Sequence, residues 1–298
     1  MSPPHRLPRR SSRTPLLSVL GAWLALAGCA LPAPEAGTLL RSGPSPVAEA
    51  LFQVRARHTD LVPVRVVFPS DEQGRPVADA PLPALVFLHG GLVPPEDYLW
   101  LAEALAARGF VVALPSHPLG LALSAPDNGH FTRALLTSPP EGSLLQGLVD
   151  PARIAVAGHS LGGVVSTSLA LDGGFAALAL LASFPNPSDV ERLPSLPVPS
   201  LSLAGEWDCS APLSRVRDEA SRLPSPSVFV VLQGVTHYQF TVSDRQDVQR
   251  GCPSATPLAE AHARTTEVLS RFLRAALSGQ GTGADDLRQV PGTEVTAR

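Results

Sequence analysis

The sequence has 298 residues, of which 44% are hydrophobic and 16% are charged, so it holds enough apolar side chains for a large buried core and is not a wholly disordered chain. Its net charge is −3, which argues against a protein that binds nucleic acid through a basic face. All 23 basic residues are arginine, which excludes any mechanism that needs a catalytic lysine.

The N-terminal segment has the pattern of an export signal. Four arginines precede an apolar run over residues 16–27, which is shorter than the roughly 20 residues needed to span a bilayer. The run ends in Leu-Ala-Gly before Cys29 and resembles a bacterial lipobox, in which the signal is cut before a cysteine that carries the lipid. We therefore expect a lipoprotein signal peptide over 1–28 and a lipid on Cys29 that anchors the exported protein to the membrane; an ordinary secretory signal is the alternative. Ala30 carries no acidic retention signal, which by resemblance to sorted lipoproteins implies the outer membrane.

The segments on either side of the central region lack periodicity. Residues 29–46 are rich in proline and predict a flexible tether, and residues 278–298 are polar and contain glycine, which predicts a disordered tail. Without the signal the chain has 19 arginines against 26 acidic residues, a net charge near −7. One domain is expected over 47–277.

The central region alternates between short apolar runs and helical patterns. In chain order, strands are predicted at 64–68, 84–88, 110–114, 154–157, 177–181, 201–204 and 228–232, and helices at 98–108, 161–171 and 265–277. Strands separated by helices predict βαβ units. The expected fold class is therefore α/β, with a mostly parallel central sheet flanked by helices.

The motif that carries chemistry lies between the fourth of these strands and the next helix. The segment Gly158-His159-Ser160-Leu161-Gly162 matches G-x-S-x-G, the nucleophile elbow, which requires a strand before it and a helix after it. Glycine at 158 and 162 lets the tight turn close. Ser160 is therefore the predicted nucleophile, and His159 is interpreted as a residue that stabilises the turn.

A nucleophilic serine needs a base, and the base needs a carboxylate that holds its tautomer. Both are expected on loops after later strands, in the order serine, acid, histidine. Asp208 follows the strand at 201–204, and His237 follows the strand at 228–232. We predict Asp208 as the acid and His237 as the base, with Glu206 as the competing acid.

An oxyanion hole needs two backbone donors. The amide of Leu161, next to the nucleophile, is the first. The second is expected in the segment His89-Gly90-Gly91-Leu92, which follows the strand at 84–88. Gly91 is the predicted donor, and Leu92 is the second choice.

These motifs resemble those of the α/β-hydrolase superfamily, and the resemblance covers about residues 50–277. Within the superfamily, the sequence most resembles the branch of dienelactone hydrolases, bacterial cutinases and polyester hydrolases. The matching segments are 63–66, 89–91, 150–154 and 234–238. The resemblance implies a secreted serine esterase that needs no cofactor. Two departures bear on the substrate. Dienelactone hydrolases typically use a cysteine where Ser160 stands, and an aromatic-rich polyester cleft is not clearly matched in a chain with 5% aromatic residues.

The two remaining cysteines, Cys209 and Cys252, lie close to the predicted acid and beyond the predicted base. Exported proteins fold under oxidising conditions, so we expect these cysteines to form a disulfide; two unpaired buried thiols are the alternative. No spacing of His and Cys residues resembles a zinc site.

The sequence therefore predicts an exported, lipid-anchored serine hydrolase that cleaves a small or polymeric carboxylic ester through an acyl-enzyme. Two alternatives remain. One is an acyltransferase or cofactor-free perhydrolase that uses the same three residues, and the other is a catalytically silent, surface-binding lipoprotein. Neither nucleic acid nor a metal is an expected partner, and no oligomeric state follows from the sequence.

Overall fold

The computed structural model describes residues 37–41, 46–55, 61–116, 125–252 and 254–298. The predicted signal peptide over 1–28, the predicted lipid-bearing Cys29 and most of the predicted tether lie outside these residues. Within the described ranges, every helix is too short or too polar to cross a bilayer.

The described chain begins with consecutive strands, alternates between strands and helices in its central part, and has consecutive helices before its last strand. The strands are β1 Thr38–Arg41, β2 Val47–Arg55, β3 Leu61–Pro69, β4 Leu82–Leu88, β5 Val111–Pro115, β6 Val149–His159, β7 Ala177–Leu181, β8 Ser200–Gly205, β9 Ser227–Leu232 and β10 Thr293–Ala297. The helices are α1 Leu99–Ala106, α2 Ala125–Thr137, α3 Leu161–Asp172, α4 Leu213–Ala220, α5 Arg245–Gln249, α6 Leu258–Leu277 and α7 Ala284–Leu287.

These strands form one sheet in the order β1-β2-β3-β5-β4-β6-β7-β8-β9-β10. In this order, all neighbouring strands in the block β5-β4-β6-β7-β8-β9 are parallel. The pairs on the two sides of this block, which are β1-β2, β2-β3, β3-β5 and β9-β10, are antiparallel. The predicted α/β class with a mostly parallel central sheet is confirmed. Because β4, β6, β8 and β9 run in the same direction, the loops after them lie at the same edge of the sheet.

Both faces of the sheet are buried, which explains the continuous apolar runs of its central strands. In β4, Leu85 and Phe87 pack in one core, which also contains residues of α1 and α6. Val86 and Leu88 pack in the core on the other side, which contains residues of α2 and α3. This double burial holds the ends of the parallel strands, and so the starts of the loops after them, in a rigid frame.

The structure corrects two predicted segments. β10 lies inside the predicted disordered tail over 278–298, where it pairs antiparallel with β9, and Leu287 and Val290 are buried just before it. β1 lies inside the predicted tether over 29–46 and pairs with β2. Edge strands are held by backbone hydrogen bonds to one neighbour, so a polar sequence such as Thr-Glu-Val-Thr-Ala does not indicate them through its side chains.

Candidate active site

Ser160 stands at the turn between β6 and α3. Its backbone has φ 51° and ψ −122°, a conformation that a residue with a side chain adopts only under strain. The Ser160 N–H donates a hydrogen bond to the carbonyl of Leu181 at 2.9 Å, and its carbonyl accepts one from the Ser183 hydroxyl at 2.6 Å. The predicted nucleophile is therefore held on a strained turn by contacts with β7 and the loop that follows it.

Close approach of the backbone requires glycine on both sides of this turn. A Cβ atom on Gly158 would overlap the backbone of Gly162 and Gly163. A Cβ atom on Gly162 would overlap the carbonyl oxygen of Leu88, at the end of β4. The elbow is therefore packed directly against the start of the loop that carries the predicted second oxyanion donor.

The structure brings the predicted acid and base together. Asp208 follows β8 and His237 follows β9, and Nδ1 of His237 lies 2.7 Å from Oδ2 of Asp208. Only 4% of His237 and 6% of Asp208 is exposed, so water does not compete for this contact. The second carboxylate oxygen of Asp208 accepts hydrogen bonds from the backbone N–H groups of Ser210 at 2.8 Å and Ala211 at 2.6 Å. These bonds fix the carboxylate in the orientation in which it meets the imidazole.

Glu206, the competing acid, has a different partner. Its Oε2 accepts a hydrogen bond from the backbone N–H of Gly234 at 2.8 Å, three residues before His237 in the sequence. Glu206 therefore joins the loop after β8 to the loop after β9, whereas Asp208 contacts the imidazole. Of the two carboxylates, Asp208 is the one that meets the imidazole of His237.

The two predicted oxyanion donors lie on neighbouring loops. A Cβ atom on Gly91 would lie 3.2 Å from Cδ2 of Leu161, so the loop after β4 meets the first residue of α3. Within the described part of the chain, no protein atom accepts a hydrogen bond from the backbone N–H of Gly91 or of Leu161, which leaves both donors available. The amide of Leu92, the second choice, is likewise unbonded there.

A disulfide joins Cys209 to Cys252, with the two Cα atoms 6.1 Å apart. Cys209 follows Asp208 directly, and Cys252 lies shortly after α5. The bridge therefore joins the loop after β8 that carries the predicted acid Asp208, which we call the acid loop, to the segment beyond the predicted base His237. This is the pairing expected from the sequence.

Asp247 is a buried carboxylate that the sequence did not reveal as part of the site. It lies next to the loop after β9 that carries the predicted base His237, which we call the base loop. Asp247 lies on α5 and is fully buried, and its Oδ2 accepts a hydrogen bond from the backbone N–H of Tyr238 at 2.6 Å. Burial raises the pKa of this carboxyl group, against the opposing effects of its hydrogen bonds and of nearby His237. The sequence carries no signal for Asp247, because its position depends on how α5 folds back onto the base loop.

Tyr98 and His159 are also buried beside the predicted base. The ring centroids of His159 and His237 are 4.6 Å apart, and the Tyr98 hydroxyl oxygen lies 2.8 Å from Nδ1 of His159. Burial lowers the pKa of His159 well below its ordinary value, and the neighbouring His237 acts in the same direction. His159 is therefore neutral at pH 7. Nothing in the sequence singles out Tyr98.

Three apolar side chains around the site are exposed. Leu92 is 80% exposed, Leu161 is 41% exposed and Trp207 is 39% exposed. Each of them stands next to a predicted site residue in the sequence. An exposed apolar side chain beside a site is available to contact an apolar part of a ligand. We refer to these three side chains as the apolar rim.

Comparison with known proteins places the fold in a family. Residues 84–261 match the alpha/beta hydrolase family, a segment that contains Ser160, Asp208 and His237. The chain is also similar to bis(hydroxyethyl) terephthalate hydrolase of Streptomyces coelicolor, with 28% identity over 173 residues. That match covers 56% of this chain and 54% of the relative, so the chain spans about half the length of the curated relative it matches. Because the family match covers more than half of the sequence, the chain belongs to the alpha/beta hydrolase family.

Proposed function

We propose that this protein is a serine esterase in which Ser160 is the nucleophile, His237 the base and Asp208 the acid. The observation that carries the proposal is the buried contact of 2.7 Å between His237 and Asp208. Both residues lie on loops at the same edge of the sheet as the strained turn of Ser160. An imidazole that is oriented by a buried carboxylate near an elbow serine is the arrangement that acyl transfer requires. Membership of the alpha/beta hydrolase family supports a hydrolase.

The proposed reaction has two halves. In the first, Oγ of Ser160 attacks the ester carbonyl while Nε2 of His237 takes its proton, and Asp208 stabilises the imidazolium. The amides of Gly91 and Leu161 donate to the oxyanion of the tetrahedral intermediate. The intermediate then breaks its bond to the alcohol, which leaves with the proton from His237. In the second half, water gives a proton to His237 and attacks the acyl group to form a second tetrahedral intermediate. This intermediate breaks its bond to Oγ of Ser160, which takes the proton back from His237 as the free acid leaves.

The apolar rim favours an ester with an apolar or aromatic acyl group. Leu161 adjoins Ser160 and Leu92 adjoins the predicted donor Gly91, and an apolar group of the bound ester that contacts them would remove apolar surface from water. Trp207 adds an aromatic ring beside the acid. The relative from Streptomyces coelicolor is named for bis(hydroxyethyl) terephthalate, an aromatic diester, and this supports the same substrate class here.

The central test is Ser160→Ala, measured on nitrophenyl esters of graded acyl length and on bis(hydroxyethyl) terephthalate. We expect kcat to fall by about a million-fold, and a fluorophosphonate probe to label the wild type but not the variant. Ser202→Ala is the matched control, because it removes a buried serine hydroxyl on β8 that has no hydrogen-bond partner within the described residues. Undiminished turnover by Ser160→Ala, or a wild type that takes no label, would contradict the proposal. The latter result would favour the silent lipoprotein.

Product analysis separates hydrolysis from transfer to another acceptor. We expect the free acid to be the main product when an alcohol is added at millimolar concentration, since water is then in large excess. A predominant new ester under these conditions would identify the acyltransferase alternative, and a peracid formed from hydrogen peroxide would identify the perhydrolase.

We also propose that the protein is exported and anchored to the outer membrane through a lipid on Cys29. The support is the basic segment, the short apolar run and the small residues before Cys29 in the sequence. In a bacterial host fed an alkyne-labelled fatty acid, we expect the wild type to carry the label and to fractionate with the outer membrane. Cys29→Ala should carry no label. An unlabelled wild type would refute the anchor without affecting the proposed chemistry.

A further inference from the structure

A chain of buried hydrogen bonds connects three of the loops that meet at the site. The backbone N–H of Gly90 donates to the hydroxyl oxygen of Tyr98 at 3.0 Å. That hydroxyl lies 2.8 Å from Nδ1 of His159, and Nε2 of His159 lies 3.2 Å from the backbone carbonyl oxygen of His237. Tyr98 is fully buried and His159 is 1% exposed, so the bonds are shielded from water.

The chemistry of the groups determines the direction of each bond. The Tyr98 oxygen accepts from Gly90, and burial raises the pKa of the phenol, so it keeps its proton. That proton can go to Nδ1 of His159, which must therefore be the unprotonated nitrogen of the ring. Neutral His159 then carries its proton on Nε2 and donates it to the carbonyl of His237. All donors point the same way, from the loop after β4 to the loop after β9.

We infer that Tyr98 and His159 are positioning residues for the esterase reaction proposed above, on which this inference rests. Through Gly90, Tyr98 holds the loop whose next residue, Gly91, is the predicted oxyanion donor. His159 precedes the nucleophile Ser160 and holds the backbone of the base. The pair therefore holds the oxyanion donor Gly91, the nucleophile Ser160 and the base His237 in fixed positions relative to one another. Fast acyl transfer requires such fixed positions.

Packing around the pair supports this role. The Tyr98 ring contacts Phe87 of β4 with centroids 5.0 Å apart, and the His159 ring contacts Phe240 at 5.8 Å. These rings restrict the side chains to one arrangement. The nearby glycine is also needed, because a Cβ atom on Gly90 would lie 2.9 Å from Nδ1 of His159 and 3.0 Å from the Tyr98 oxygen. A side chain at position 90 would push the hydrogen-bonded pair apart.

The test is a double-mutant cycle of Tyr98→Phe and His159→Phe, in which kcat and KM are measured for each variant. The concentration of active sites is determined by fluorophosphonate labelling, so that unfolded protein does not lower the value of kcat. Tyr98→Phe removes only the hydroxyl, and His159→Phe removes both nitrogen atoms but keeps a ring. We expect each single variant to lower kcat by roughly tenfold with KM nearly unchanged, since the lost interaction orients groups that act in the transition state. The double variant should be about as slow as the slower single variant, because both break the same chain.

Two further variants complete the design. His159→Gln keeps one acceptor and one donor and should recover part of the kcat that His159→Phe loses, whereas a role in packing alone would favour the phenylalanine. Ser202→Ala again serves as the control for loss of a buried hydroxyl and should keep the wild-type kcat. Wild-type kcat in Tyr98→Phe, or losses that multiply in the double variant, would overturn the inference. If Ser160→Ala is inactive at the same time, the proposed function stands and only the positioning role fails.

Discussion

The carboxylate of Asp247 accepts a hydrogen bond of 2.6 Å from the backbone N–H of Tyr238, the residue directly after the predicted base His237. The backbone carbonyl of the same aspartate accepts a bond from the N–H of Cys252 at 2.9 Å. Because Cys252 is bonded to Cys209, which follows the predicted acid Asp208, Asp247 connects the base loop to the disulfide and through it to the acid loop. One buried residue of α5 thus braces both members of the imidazole–carboxylate pair.

This bracing predicts different results for two substitutions of Asp247. Asp247→Ala leaves the partly buried N–H of Tyr238 without its acceptor, so we expect a loss of about 1–3 kcal/mol in the free energy of unfolding and a lower kcat. Asp247→Asn keeps a side-chain oxygen that can accept the hydrogen bond from Tyr238. This variant should therefore retain most of the free energy of unfolding and most of the kcat of the wild type. Urea denaturation and steady-state kinetics on a nitrophenyl ester measure the two effects. Equal losses in the alanine and asparagine variants would show that the hydrogen bond to Tyr238 is not the cause.

The two carboxylates after β8 are predicted to differ sharply in function. Asp208→Asn replaces the acceptor for Nδ1 of His237 with an amide that favours the wrong tautomer, so we expect kcat to fall by about 10,000-fold. Glu206→Gln keeps an oxygen for the Gly234 N–H and should lower kcat by less than tenfold. Both variants are compared at pH 7 with the same nitrophenyl ester. A larger loss in Glu206→Gln than in Asp208→Asn would reverse the assignment of the acid.

The sequence indicated those parts of the fold and site whose signal is local. Continuous apolar runs predicted the buried strands. Glycines at fixed spacing between a predicted strand and a predicted helix indicated the elbow around Ser160. The order of serine, acid and histidine led to Asp208, which the structure brings to His237 at 2.7 Å.

The remaining features depend on distant parts of the chain meeting one another. Tyr98 lies 61 positions before His159, and nothing near either residue predicts their contact. Asp247 resembles any surface acid until α5 is folded against the base loop. The edge strands β1 and β10 are formed by backbone pairing to a neighbour, which polar side chains do not reveal.

The disulfide is predicted to contribute to stability. Cys209 and Cys252 are separated by 43 positions, and closing a loop of that length lowers the entropy of the unfolded chain enough to stabilise the native state by about 4 kcal/mol. We expect the double variant Cys209→Ser/Cys252→Ser to lose a free energy of unfolding of that order in urea. Wild type unfolded under reducing conditions should match the variant. A loss below about 1 kcal/mol would mean that the bridge does not constrain the unfolded chain as described.

The buried histidine of the elbow predicts how stability depends on pH. Burial holds the pKa of His159 well below the ordinary value of 6.5, so below pH 6.5 the unfolded chain binds a proton at this residue that the native protein does not bind. The contribution of His159 to stability is therefore complete above pH 6.5 and is lost as the pH falls towards the lowered pKa. His89 and His262, whose pKa values burial also lowers, act in the same direction.

We therefore expect the free energy of unfolding of the wild type to decrease between pH 7.5 and pH 5, with His159 contributing at most about 1.4 kcal/mol per pH unit. His159→Phe removes this contribution and should give a shallower decrease, even though its stability at pH 7.5 is lower. Urea denaturation of both proteins at pH 7.5, 6 and 5, at one ionic strength, measures the two slopes. Parallel slopes would mean that native His159 takes up a proton as readily as the unfolded chain does. The hydrogen bond from the Tyr98 hydroxyl to an unprotonated Nδ1 would then be wrong as well, because a protonated ring has no acceptor to offer.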